Sequence, residues 1–114
     1  MRVSFECDGG LADFRIEGMI ETADLGPEAA ERAERLLRPD KLREKRGTRH
    51  PHTRDLRVYF VGFREGQGYS EFRVEEGTAT TEVLDLMEEL VVEVVRRRRL
   101  ARDRQDAPQE GAGA

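Results

Sequence analysis

His50 and His52 stand two apart across Pro51, the spacing of two ligands offered from one extended segment. Cys7, Asp40 or Asp55 could in principle complete a zinc site with them. No second ligand pair with recognisable spacing joins these residues. A polar loop carrying two exposed histidines accounts for the motif, and no metal is expected. Cys7 is the single cysteine, which excludes an intramolecular disulfide framework and a Cys-based zinc knuckle. It reads as a small buried hydrophobe rather than a reactive thiol. There is no Ser/His/Asp set, no Gly-rich phosphate loop and no nucleotide fingerprint. Gly9-Gly10 and Gly66-Gln67-Gly68 lie between strand-like segments, so hairpin turns explain them. The many carboxylates fall on helix faces beside arginines, as solvated surface does. The chain is not expected to be an enzyme or to hold a cofactor.

The strongest chemical feature left is charge. The net charge of −4 hides a segregation. Residues 41–54 carry six Lys/Arg against Glu44 alone, and residues 96–114 carry six Arg against three acids. The remainder is acidic. Arg96, Arg97, Arg98 and Arg99 could grip phosphate, and with the 41–54 block could form a two-point polyanion footprint. Cations at a helix C-terminus also suit the helix dipole. No aromatic residue interleaves either block, so the stacking that marks single-strand binders is missing.

The elements that must position these residues follow from periodicity. Val3, Phe5 and Cys7 alternate with Arg2, Ser4 and Glu6, as in a half-buried strand. Asp8-Gly9-Gly10 is a turn signal, and a second strand over 11–22 places Ala12, Phe14, Ile16 and Ile20 inward. Gly18 interrupts that strand and predicts a bulge. Pro27 opens a helix with an Ala29, Ala30, Ala33, Leu36, Leu37 stripe, which Pro39 ends. Residues 39–54 show no usable period, and a connection this long is usually functional. Residues 55–63 read as a central strand, apolar on both faces, with Val58 and Phe60 assigned inward; residues 69–76 pair back. Thr80 or Thr81 caps a second helix with the stripe Val83, Leu84, Met87, Leu90, Val91, Val94, Val95. Val58, Phe60, Phe72, Leu86 or Met87, Leu90 and Phe14 are expected in one core.

The expected fold is α+β: a four-stranded antiparallel sheet with two helices in the order β-β-α-β-β-α. The 114 residues suit one domain over 1–105, its second helix overhanging after about residue 95, with a disordered tail over 106–114. No run is apolar enough to cross a membrane, and Arg2 and Glu6 break any signal-peptide pattern, so a soluble cytoplasmic protein is expected.

The run Phe5-x-x-x-Gly9-Gly10-Leu11-Ala12, a long strand ending near Thr22-x-x-Leu25 and a helix opened by Pro27 resemble the emfourin family. So do a polar, Pro-containing stretch leading to Asp55, the strand around Arg57-Val58-Tyr59, a Gly-bearing hairpin, and a closing helix with Leu84, Met87 and Leu90. The resemblance covers about residues 3–92. Emfourins are small cytoplasmic bacterial proteins that inhibit thermolysin-like zinc metallopeptidases, so the resemblance implies an inhibitor whose partner is such a peptidase. The zinc would belong to the peptidase. Geometry makes the Asp8, Gly9, Gly10, Leu11 turn and the basic residues Arg43, Lys45, Arg46 and Arg49 the candidate contacts. Two other readings stay open: a nucleic-acid or polyanion-binding accessory protein using the two Arg-rich blocks, and a homodimeric module whose overhanging helix pairs with its twin. The sequence is compatible with a monomer and with a homodimer.

Overall fold

A computed structural model describes residues 1–9, 14–45 and 56–106, the side chains of Phe14, Gln105 and Asp106 excepted. Strands β1 (Arg2–Gly9), β2 (Phe14–Glu21), β3 (Arg57–Glu65) and β4 (Gly68–Glu75) form one antiparallel sheet in the order β2-β1-β3-β4. A 3₁₀ turn (Thr22–Asp24) leads to α1 (Pro27–Leu36) and the short α2 (Pro39–Arg43). The chain closes with α3 (Thr81–Asp106). The α+β architecture and strand pairing agree with expectation, with the 3₁₀ turn and α2 as additions.

The alternation in β1 works as the pattern requires. Val3, Phe5 and Cys7 are buried, while Ser4 and Glu6 are only half-buried on the other face. Because residues opposite each other share a face, the β1–β3 register dictates which side of β3 enters the core. Val3 pairs with Phe63, Phe5 with Val61 and Cys7 with Tyr59. Tyr59, Val61 and Phe63 are therefore inward and almost fully buried. Val58 and Phe60 lie on the opposite, open face and are half-buried, which corrects their assignment to the core. Apolar residues on both faces of β3 make its alternation uninformative; the register decides. Phe72, Leu86, Met87 and Leu90 are in the core as expected. The Phe14 side chain and Ala12 lie outside what is described.

Gly18 forms no bulge. The β1–β2 register runs unbroken from Arg2↔Glu21 to Gly9↔Phe14. The reason for glycine is instead a close approach: a Cβ there would lie 3.3 Å from Val94 Cγ1 on α3. The absent side chain lets the helix lie close on β2.

All three helices pack on the Val3/Phe5/Tyr59 face. α3 lies against β2, α1 beside α3, and α2 against β4. Ala33 and Leu36 seat α1, and Arg32–Glu89 and Arg35–Glu82 ion pairs join it to α3. Pro39 does not simply end the chain's first helix: it takes the first helical position of α2, where its missing N–H costs nothing, and Leu42 buries that turn. Thr80 is the cap of α3, its Oγ1 accepting from the Val83 N–H at 3.4 Å. At 1.5 Å per residue the 26 residues of α3 span about 39 Å. Every residue from Arg98 to Arg104 is exposed.

Candidate functional site

One end of the sheet gathers the anchors of both candidate contact segments. Gly9, the last residue of β1, pairs with Arg57, the first of β3. It has φ of 96°, and a Cβ there would lie 3.0 Å from the Leu56 carbonyl oxygen, so glycine is required on both counts. The backbones of Arg57 and Glu76 also meet, the Glu76 N–H donating to the Arg57 carbonyl at 3.1 Å, while the Arg57 N–H donates to Glu76 Oε1 at 3.2 Å. A turn then brings Ala79 into an isolated antiparallel bridge with Lys45. The sequence Gly9, Arg57, Glu76, Ala79, Lys45 thus crosses one end of the sheet. It tethers the start of the β1–β2 connection and the described part of the basic block to a common base.

Side chains stiffen that base. Tyr59 is 1 % exposed, and burial pushes its phenol above the usual range, while Arg57 supplies its hydroxyl with a hydrogen bond. The thiol of Cys7 beside it is also raised by burial, which keeps it protonated and disfavours thiolate chemistry. Arg43 sets its guanidinium 5.4 Å from the Phe72 ring centroid, a cation–π contact that holds the end of α2 on β4. On the open face, Arg15 reaches Glu6 at 3.0 Å, Glu17 at 3.4 Å and Asp8 at 3.7 Å. Asp8 and Glu6 share a hydrogen bond that holds Asp8 above and Glu6 below the usual carboxylate range, with Arg15 lowering Glu6 further.

Of the sequence candidates, Asp8 and Gly9 are therefore at this end, and Lys45 and Arg43 border it. Gly10, Leu11, Arg46 and Arg49 lie outside the described residues, as do His50, His52 and Asp55. Among the described residues no group of three His, Cys, Asp or Glu side chains could hold a metal ion.

The arginine run lies elsewhere. α3 starts next to Ala79 and carries Arg96 about 22 Å away along its axis. Lys45, in the described start of the other basic block, bridges Ala79 at the opposite end of that helix. Two of the four arginines are engaged within the chain. Glu93 accepts from Arg96 at 3.1 and 2.5 Å and from Arg97 at 3.0 Å, and Arg97 reaches Asp24 at 2.7 Å. Arg96, and then Arg97, hold the Glu93 carboxyl below its usual range. This clip escapes a reading by charge runs alone, although the i,i+3 and i,i+4 spacing signals it. The Arg57–Tyr59–Glu76 cluster carries no such local signal, because it needs the β3–β4 register.

Among the described residues, this sheet end carries the charged groups Asp8, Arg57, Glu76 and Lys45 around the Gly9 backbone. With its helices on one side only, the fold defines a small α+β protein with one open sheet face. Comparison with known families then places it: the family model described as Emfourin matches residues 5–91, and the chain belongs to the emfourin family. No curated protein and no solved structure matches it. No helix among the described residues is long and apolar enough to cross a membrane.

Proposed function

We propose that the protein inhibits a thermolysin-like zinc metallopeptidase by seating this end of the sheet in the peptidase cleft. The observation that carries the reading is the emfourin match over residues 5–91. The convergence of Gly9 and Lys45 on one base supports the choice of surface. A cleft of this kind binds extended peptide through backbone hydrogen bonds and a side-chain pocket. Anchoring of the segment at Gly9 lowers the conformational freedom lost on entering it. In this reading Asp8, Gly9, Gly10 and Leu11 enter the cleft, and Arg43, Lys45, Arg46 and Arg49 meet an acidic rim. The zinc is the peptidase's own, and the inhibitor, one domain over 1–105 in a bacterial cytoplasm, brings no cofactor.

Titrating a thermolysin-like peptidase with the purified protein tests the proposal. Activity should fall linearly to a stoichiometric end point, excess zinc should not restore it, and the inhibitor should stay uncleaved. Full activity of several such peptidases at large molar excess, including any encoded beside this protein, would overturn it.

A further inference from the structure

The solvent side of α3 carries a stripe with a symmetry that neither the core nor the sheet end uses. Asp85, Glu88, Val92, Val95, Arg99 and Arg102 follow one another at spacings of three and four residues, the period of a helix–helix seam. All six are exposed. They lie on the side of α3 opposite Val83, Met87, Leu90 and Val94, which face the sheet. Val92 is 65 % exposed and Val95 36 %, two apolar side chains at the centre of the stripe. Acids occupy one end and arginines the other. Asp85, Glu88, Arg99 and Arg102 make no ion pair among the described residues, unlike Arg96 and Arg97.

The order acid, acid, Val, Val, Arg, Arg is complementary to itself when reversed. Two antiparallel copies of α3 centred between Val92 and Val95 place Asp85 opposite Arg102, Glu88 opposite Arg99 and Val92 opposite Val95, each pair twice. We propose that the protein forms an antiparallel homodimer through this stripe. Such a contact is isologous and closes on itself, with the same patch used by both copies. A parallel pair would set acid on acid and arginine on arginine. Beside the stripe, a groove between α1 and α3 is lined by Leu25, Ala29, the acids Asp85 and Glu88, and Glu89, which is paired with Arg32. The exposed Arg98–Arg104 segment of the second copy lies along that acidic side, so the overhang of α3 gains a partner. The matched family region ends at residue 91, so Val92 and everything basic in the stripe come from the part of the chain beyond it. The inference does not rest on the inhibitor reading, because the centre of the stripe, Val92 and Val95, lies about 16–21 Å along α3 from its start beside Ala79.

With only two valines per copy at its centre, the dimer should be a micromolar, salt-weakened one. Sedimentation equilibrium of the full chain from micromolar to sub-millimolar concentration reads the mass against the 13.0 kDa of one chain. At low salt the mass should rise to twice that value with concentration, and fall back as salt is added. Glu88→Arg and Arg99→Glu should each give a monomer with unchanged helical circular dichroism. Mixing these two variants should restore the dimer, since every charged pair across the stripe is then between opposite charges. The doubly reversed chain, Glu88→Arg with Arg99→Glu, should dimerise by itself. A wild type that stays monomeric, a dimer indifferent to either single reversal, or a doubly reversed chain that remains monomeric would each overturn the proposal.

Discussion

Phe60 and Phe63 sit three residues apart on β3 and point to opposite faces, so the same substitution at both isolates the effect of the face. Phe63 is 2 % exposed and stacks on Phe72 with centroids 5.4 Å apart. Removing a ring from such a site costs about 3–5 kcal/mol from lost transfer and the cavity left behind. The lost ring pair puts Phe63→Ala near the middle of that range or above, at about 4 kcal/mol. Phe60 is half-buried on the open face, between Glu6 and Arg73. Fully burying a Phe side chain is worth about 1.5–3 kcal/mol, so half of that, about 1 kcal/mol, is at stake in Phe60→Ala. Urea unfolding followed by circular dichroism reads the difference. With a slope of about 1.5 kcal/mol per molar urea, Phe63→Ala lowers the midpoint by about 2.7 M and Phe60→Ala by about 0.7 M. Equal losses, or a larger loss at Phe60, would refute the assignment of faces and with it the β1–β3 register.

Gly9→Ala should destabilise by about 1–3 kcal/mol in thermal or urea melts, because alanine must adopt φ near 96° with its Cβ 3.0 Å from the Leu56 oxygen. Glu93 has a folded-state carboxyl below its unfolded value, so its contribution is present above the unfolded value and lost as pH falls through the folded one. Stability of the wild type should therefore drop more steeply than that of Glu93→Gln between about pH 5 and pH 3, which melts at stepped pH would show. Changing Arg43, Lys45, Arg46 and Arg49 together to Ser should slow association with an inhibited peptidase and reduce its salt dependence more than it changes dissociation, as stopped-flow inhibition kinetics would show.

Where one face of an element is polar, its orientation is legible in the sequence. Arg2, Ser4 and Glu6 mark the outer face of β1, and Glu82, Asp85 and Glu88 the outer face of α3, but Val95, read as part of the apolar stripe, is exposed, because the stripe drifts off the sheet-facing side near the end of the core. β3 defeats this logic because Val58 and Phe60 are as apolar as Val61 and Phe63. Its inward face follows only from pairing with β1, a contact between segments more than fifty residues apart. Gly18 is ambiguous for a similar reason: a bulge and a close helix both call for glycine, and only the position of Val94 separates them. α2 is five residues long, too short to show a helical period, and is marked only by Pro39 and the buried Leu42. At the candidate site, the turn signal of Asp8-Gly9 is local and readable. The placing of Gly9 and Lys45 at the same end of the sheet is not, because it passes through the β1–β3 and β3–β4 registers and the Ala79 bridge.

If recognition sits at the sheet end that carries Gly9, Arg57, Glu76 and Lys45, amide hydrogen exchange of the protein with and without an inhibited thermolysin-like peptidase will show it. New protection should be confined to residues 8–13 and 41–57, with the exchange of β4 from Gly68 to Ser70 and of α3 beyond Val92 unchanged by the peptidase. Protection centred on the open sheet face around Met19, Phe60 and Tyr69, with none at residues 8–13 or 41–57, would contradict it.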